Sequence, residues 1–182
     1  SFTMQDLPYS LMTELEKVTG KDPPPVHLWH PENEKDIDLE ILPDGTWNYM
    51  GTPILRRRLI HLFASVLRKE NDDYFLVTPV EKCRIRVADT PFQVVLMDVD
   101  SLGQGQDLIV TTDMAEKVRI DAEHPLRIVH QGEETIPYVL IRNGMEGRMN
   151  RNVYYQLAEL IVDKDGDLGV WSGGEFFALA LS

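Results

Sequence analysis

Apolar residues recur along this chain in two rhythms. In SLMTELEKV (10–18) the spacing is helical. Leu11, Leu15 and Val18 share a face, which predicts a short helix with Ser10 as its N-cap. GKDPPP (20–25) then ends it with a stiff, extended connection. Beyond that the period shortens to two. VHLWH (26–30) reads as a short strand, and IDLEIL (37–42) places Ile37, Leu39 and Ile41 on one face. PDGT (43–46) is a hairpin signal, because Asp-Gly tolerates the positive φ of tight turns. TWNYM (46–50) returns with Trp47 and Tyr49 on a shared face. In GTPILRRRLIHLFASVLRKEN (51–71) the rhythm is helical again. Leu55, Leu59, Leu62, Phe63, Val66 and Leu67 form its stripe, with Thr52 as N-cap and Pro53 at the first helical position. YFLVT (74–78) and CRIRV (83–87) follow as strands, with Cys83, Ile85 and Val87 inward and Arg84 and Arg86 outward. FQVVLMDVD (92–100) and DLIVTT (107–112) are further strands joined by SLGQGQ, and DMAEKVRIDAE (113–123) is less regular.

The pattern then repeats. PLRIVH (125–130) stands against PVHLWH (25–30), and IPYVLI (136–141) against DIDLEI (36–41), both at an offset of 100 residues. Asn143-Gly144 takes the place of Asp44-Gly45. EGRM (146–149) is a return strand. NRNVYYQLAELIV (150–162) reads as a helix with Val153, Leu157, Leu160 and Ile161 on one face, KDGD (164–167) is a turn, and LGVWS and EFFALAL are the last strands. Short apolar strands resemble one another, but order and spacing together point to duplication. The expectation is an α+β fold of two tandem similar repeats, each an antiparallel sheet with one helix. Its parts are an N-terminal extension (1–24), a first repeat (25–90), an inserted β segment (91–124) and a second repeat (125–182). A repeat of about 60 residues is marginal alone, so the copies are expected to pack together with a ligand cleft between them. In that alignment LVTPVEKCRIRV (76–87) is the twin of GVWSGGEFFALAL (169–181). Pro79 and Gly173-Gly174 both mark a bend between two strands.

GTPI (51–54), LVTPVE (76–81), DTPF (89–92), HPLR (124–127) and VWSGGEFF (170–177), with DGTW (44–47) ahead of them, resemble the domain-of-unknown-function family 1285 of bacterial proteins. The resemblance runs from about Pro24 to Leu181. It implies a two-repeat α+β arrangement of novel topology, and a role in signal transduction or ligand binding that has only been suggested.

Composition narrows the partners. Thirty acidic residues against 18 basic ones leave a net charge of −12. That disfavours phosphate-backbone binding, so no nucleic-acid partner is expected, and Arg56-Arg57-Arg58 reads as a solvated helix face. No apolar run approaches the ~20 residues that span a membrane, and the opening residues carry no secretory pattern. The one cysteine, Cys83, excludes an internal disulfide, and a reducing cytoplasm is the expected setting.

Several stretches invite chemistry. DKDGDLG (163–169) alternates acids, but a calcium loop counted from Asp163 would need Gly at its sixth position and Glu at its twelfth, where Leu168 and Gly174 stand. A solvated turn is expected instead. Ser172 in WSGG lacks the strand-to-helix elbow of a nucleophilic serine. Cys83 lies on the apolar face of its strand and is expected to be a buried, inert thiol. The five histidines show no metal-ligand spacing, and neither metal nor cofactor is expected. Glu81 stands out, because it follows a bend beside an apolar strand. An arginine such as Arg127 would suit it, either as a brace between the copies or as part of a ligand site. The candidate ligand-binding set is Arg56, Thr78, Glu81, His124, Arg127, Trp171 and Ser172, with no catalytic residue assigned. The expected function is a cytoplasmic small-ligand-binding or regulatory module. An enzyme with Glu81 as acid/base and a structural protein–protein interaction domain are the alternatives. An enzyme needs an acid/base pair within reach, which the sequence does not show, whereas a binding module needs only the pocket.

Overall fold

The computed structural model describes residues 9–18 and 24–179. The chain divides into two units at Asp89/Thr90. Each is built on a mixed six-stranded sheet with a helix, in keeping with the duplicated α+β organisation.

Helix α1 (Tyr9–Val18) opens the described chain. Leu11 and Leu15, one turn apart, are fully buried. The helix starts one residue before Ser10, the expected cap. Residues 20–23 of the expected stop signal lie outside the described residues. VHLWH is not a strand. Val26–Leu28 form a single 3-10 turn, of which only Val26 is buried. Two prolines lead in and Pro31 follows, and the Arg68 guanidinium clasps the turn by donating to the Val26 and Trp29 carbonyls at 3.0 and 2.7 Å. With one inward residue there is no alternating face to pair.

The first sheet comprises β1 (Glu34–Ile41), β2 (Trp47–Tyr49), β3 (Thr52–Pro53), β4 (Leu67–Glu70), β5 (Asp73–Val77) and β6 (Lys82–Val87), in the order β3-β2-β1-β6-β5-β4. All neighbours are antiparallel except β1 and β6, which run parallel. Ile37, Leu39, Ile41, Trp47, Tyr49, Cys83 and Ile85 point into the core, as the period of two predicts. The other face of the β1–β6 pair is an ion-pair ladder, with Arg84 to Glu34 at 3.0 Å and Arg86 to Asp38 at 2.6 Å. Helix α2 (Arg57–Ser65) is shorter than its stripe suggests. Thr52-Pro53, expected as its cap and first turn, is edge strand β3 paired with Tyr49 and Asn48. Leu55 is 85% exposed, and Leu67 already belongs to β4. The reason is pairing: after the tight turn at Met50-Gly51 the chain bonds back onto β2 before it can coil. Leu59, Phe63 and Ala64 remain as the buried face, with Phe63 stacked on Trp47 at 6.0 Å.

The second unit holds β7 (Phe92–Asp100), β8 (Asp107–Thr112), β9 (Lys117–Arg119), β10 (Leu126–Gln131), β11 (Glu134–Arg142) and β12 (Met145–Met149) in one sheet of order β10-β11-β12-β7-β8-β9. The β12–β7 pair is parallel. Residues 91–124, expected as a segment between the copies, thus supply three strands of the sheet that also contains β10, β11 and β12. Helix α3 (Arg151–Ala158) follows, capped by the Asn150 side chain, which accepts from the Val153 N–H at 2.8 Å. It buries Val153 and Leu157 and ends before Leu160 and Ile161, expected on the same stripe. The chain then enters β13 (Val162–Lys164), which with β14 (Asp167–Ser172) and β15 (Glu175–Ala178) forms a separate three-stranded sheet. The β11–β12 and β13–β14 hairpins close on Asn143-Gly144 and Asp165-Gly166, whose φ values are all positive, as a two-residue hairpin turn of this kind requires. The expected solvated turn is the second of these.

Element order repeats, β1, β2, α2, β4, β5 and β6 against β11, β12, α3, β13, β14 and β15, with β4 and β13 added to the two strands expected after each helix. Pairing differs. In the first unit the last strand returns beside β1, whereas among the described residues its counterpart β15 pairs only with β14. Strand β10 has no strand counterpart, because its twin is the 3-10 turn.

Candidate functional site

The sequence-derived candidates fall in both units. In the first, Thr78 and Glu81 build the bend between β5 and β6. The Thr78 hydroxyl donates to the Glu81 carbonyl and accepts from the Glu81 N–H, each at 3.2 Å, while the Thr78 N–H donates to the same carbonyl at 2.9 Å. The bend is held by one threonine, and Pro79 sits exposed at its tip. Glu81 is 2% exposed, and its carboxylate meets the Lys35 ammonium at 3.1 Å. Lys35 lies on β1 across from Cys83, so the pair ties the bend to the neighbouring strand of its own sheet. Arg56 is exposed at the head of α2, where its carbonyl accepts from the Leu59 and Ile60 N–H groups.

In the second unit, Ser172 is fully buried at the end of β14. Its hydroxyl donates to the Ile120 carbonyl at 2.6 Å and accepts from the Leu108 N–H at 2.8 Å, stapling the small sheet to the large one. Trp171 packs edge-on against Phe176 at 5.3 Å, with the Lys164 ammonium over its ring, and its carbonyl accepts from the Gln106 amide. His124 is held in a turn. Its N–H donates to Asp121 at 2.9 Å, and its ring Nδ1 lies 3.1 Å from the Leu140 carbonyl. Burial pushes the Asp121 carboxyl up, but hydrogen bonds from the His124 N–H, Arg119 and the Glu123 N–H outweigh it and hold the group below its ordinary value. Arg127 grips Glu146 with both arms of its fork at 2.9 Å and lies over the Tyr138 ring. Each of these side chains thus has a local structural role.

Within the second unit, sequence reasoning missed a cleft of about 540 Å³ between the β10–β11 hairpin, the end of β12 and helix α3. Tyr138 of β11 stands across from Arg148 of β12, so β12 ends level with Pro137. Residues 134–136 run on past it for three positions, about 10 Å at the usual rise. Helix α3 begins at Arg151, and its first turns line this space. One rim carries Glu133 and Glu134, and the other carries Arg148 and Arg151, with Tyr154 and Tyr155 from the first turns of α3. Among the described residues, Glu133, Glu134 and Arg151 make no ion pair or side-chain hydrogen bond. The signal in the sequence was weak but present. Tyr154 and Tyr155 stand side by side in the helix without belonging to its Val153/Leu157 stripe. A smaller groove of about 280 Å³ runs past Leu102, Gln106, Ile161 and Trp171. In the first unit an open hollow of about 500 Å³ is edged by His27, His30, Arg68 and Lys82. Its cations are already engaged: Lys82 meets Glu70 at 2.7 Å and Arg68 donates to the same carboxylate. The described residues contain no group of three or more His, Cys, Asp or Glu that could hold a metal ion. No described helix is long and apolar enough to cross a membrane.

Comparison with known proteins matches this architecture. The N-terminal domain of DUF1285, a domain of unknown function, matches residues 24–90, and the DUF1285 C-terminal domain matches residues 91–179. The chain belongs to the DUF1285 family. The family boundary falls within two residues of the division between the units. A DUF1285 family protein from Silicibacter pomeroyi DSS-3 is 42% identical, with 93% of each chain covered and a TM-score of 0.87. A DUF1285 family protein from Shewanella baltica OS155 is 29% identical over 66% of this chain and 90% of its own, with a TM-score of 0.53. No curated protein matches. For this DUF1285 chain the comparisons therefore establish family and fold, and the chemistry of the site has to be argued from its residues.

Proposed function

We propose that the protein is a regulatory module that binds a small polar ligand in the cleft of its second unit. The observation that carries this reading is the cleft itself. It has a volume in the range of small-molecule sites, it is lined by groups of both charges and two phenol rings, and three of its charged side chains are unspent. An acid/base role for Glu81 has less support, because the carboxylate is buried at a hairpin bend against Lys35. A cytoplasmic setting suits a chain whose one cysteine is buried and free.

The test is a thermal-shift screen of the full chain against nucleotides, amino acids, sugars and small acids, repeated with Tyr154→Ala and Arg151→Gln. Binding at 100 times the dissociation constant stabilises by ~2.7 kcal/mol, enough for a clear shift. The expected result is at least one compound that shifts the wild type and loses its effect in both variants. A compound that shifts all three proteins equally places the site elsewhere, and no hit in the whole screen turns the reading toward a protein partner.

A further inference from the structure

Taking the cleft of the second unit as the ligand site, we infer that its ligand is a zwitterion of the amino-acid class, held by its carboxylate on the Arg151 side and by its ammonium on the Glu133–Glu134 side. The reasoning is one of charge placement. A site for an anion would gather cations, and a site for an amine would gather acids and rings. This cleft does neither. Its acids sit together on the tip of the β10–β11 hairpin and its arginines sit together where β12 gives way to α3, so the charge is separated across the opening. Glu133, Glu134 and Arg151 are not spent on each other or on neighbours among the described residues. A ligand with one charge of each sign satisfies both rims, whereas a dianion or a diamine leaves one rim facing a like charge.

The strand edge also brings backbone groups into the cleft. The Leu140 N–H donates to Pro125, on the β10 side of β11. Backbone groups alternate sides along a strand, so positions 138, 136 and 134 also face β10, and the Thr135 N–H and C=O turn the other way, into the cleft past the end of β12. That adds one backbone donor and one backbone acceptor to the wall of the cleft. The Tyr154 and Tyr155 rings, 6.2 Å apart and tilted 44° to each other, supply aromatic surface for a side chain.

The experiment is an amide-resolved NMR titration of the full chain with each of the twenty standard L-amino acids. The best binder is then compared with its N-acetyl and carboxamide analogues, which each remove one charge. The expected result is that an amino acid moves the Thr135 and Tyr154 resonances and that each analogue binds about tenfold or more weakly, the loss of one charge-assisted hydrogen bond. Glu134→Gln should abolish the discrimination against the N-acetyl analogue, and Arg151→Gln the discrimination against the carboxamide. If the analogues bind as well as the parent, or if no amino acid moves these resonances, the inference falls. The cleft survives as a ligand site in the first case, and in the second if another compound from the thermal screen moves the same resonances. Only silence from both sets removes the cleft as well.

Discussion

Glu81 shows how one residue can draw attention for the wrong chemistry. A carboxylate beside an apolar strand reads as a functional group, yet the structure gives it a tie to Lys35 across the β1–β6 pair. Glu81→Ala removes the buried partner of a half-exposed lysine, which solvent can then cover. The expected cost is about 1–3 kcal/mol in urea denaturation, without change in ligand binding at the α3 cleft. Ser172 was singled out beside it, and here too the hydroxyl is consumed locally. Ser172→Ala strands the Leu108 N–H and the Ile120 carbonyl in a site with no exposure, so a loss of about 1–3 kcal/mol is expected, more than Ser→Ala costs on the surface. Cys83 behaves as its strand position predicts. Burial, aided by the nearby Glu81 charge, pushes its thiol up to about 12. At pH 8 the thiolate is therefore scarce, and the native protein should react with a disulfide reagent far more slowly than the urea-unfolded chain. Equal rates in the two states would contradict the burial.

At the scale of elements, periodicity located both repeat helices and the longer strands but not β3, β4, β9 or β13, and the ends of what it located were set by partners. Thr52 and Pro53 have the chemistry of a helix start, and Leu160 and Ile161 have the spacing of a helix continuation. Both were overruled, by pairing with β2 in one case and by the descent into the β13–β14 hairpin in the other. Hairpins were legible because Asp-Gly and Asn-Gly carry the turn conformation in their own backbone preferences. The small sheet carries a further test. A Cβ on Gly169 would lie 2.2 Å from the Phe177 carbonyl oxygen and 2.9 Å from the Ala178 Cα, both backbone atoms of β15. Gly169→Ala should therefore push β14 and β15 apart, with a loss of about 1–3 kcal/mol and faster amide exchange confined to residues 168–178. Unchanged exchange there would show that the sheet absorbs a methyl group without opening.

Across the whole chain, 30 acidic residues and a net charge of −12 make stability depend on pH from the acid side. Asp44 is lowered by the Thr46 N–H, Glu70 by Lys82 and Arg68 against the effect of burial, and Asp121 by the hydrogen bonds of its turn. A carboxyl whose folded pKa lies below its unfolded value stabilises the fold above the unfolded value, about 4 for these groups. That stability is lost as pH falls through the folded pKa. Asp44 is exposed and Glu70 and Asp121 are partly exposed, so solvent screening leaves their joint contribution on the order of 1–2 kcal/mol. The urea midpoint should hold from pH 7 to about 5 and decline below about 4. A midpoint that rises on acidification would mean that general repulsion among the acids outweighs these specific contacts.

By itself the sequence determined the α+β class, the duplication, the buried faces, the hairpin turns and the bend at Thr78-Pro79, because each rests on short-range periodicity or on the preferences of a few adjacent residues. Only tertiary structure decided the parallel β1–β6 and β12–β7 pairs, the separation of β13–β15 into its own sheet, and the use of residues 91–124 as half of the second large sheet. These depend on which distant strand edge is free, and no local pattern encodes that. The cleft has the same origin. Glu133, Arg151 and Tyr154 look like ordinary surface residues one at a time, and they line a common space because β11 outruns β12 and α3 begins where β12 stops.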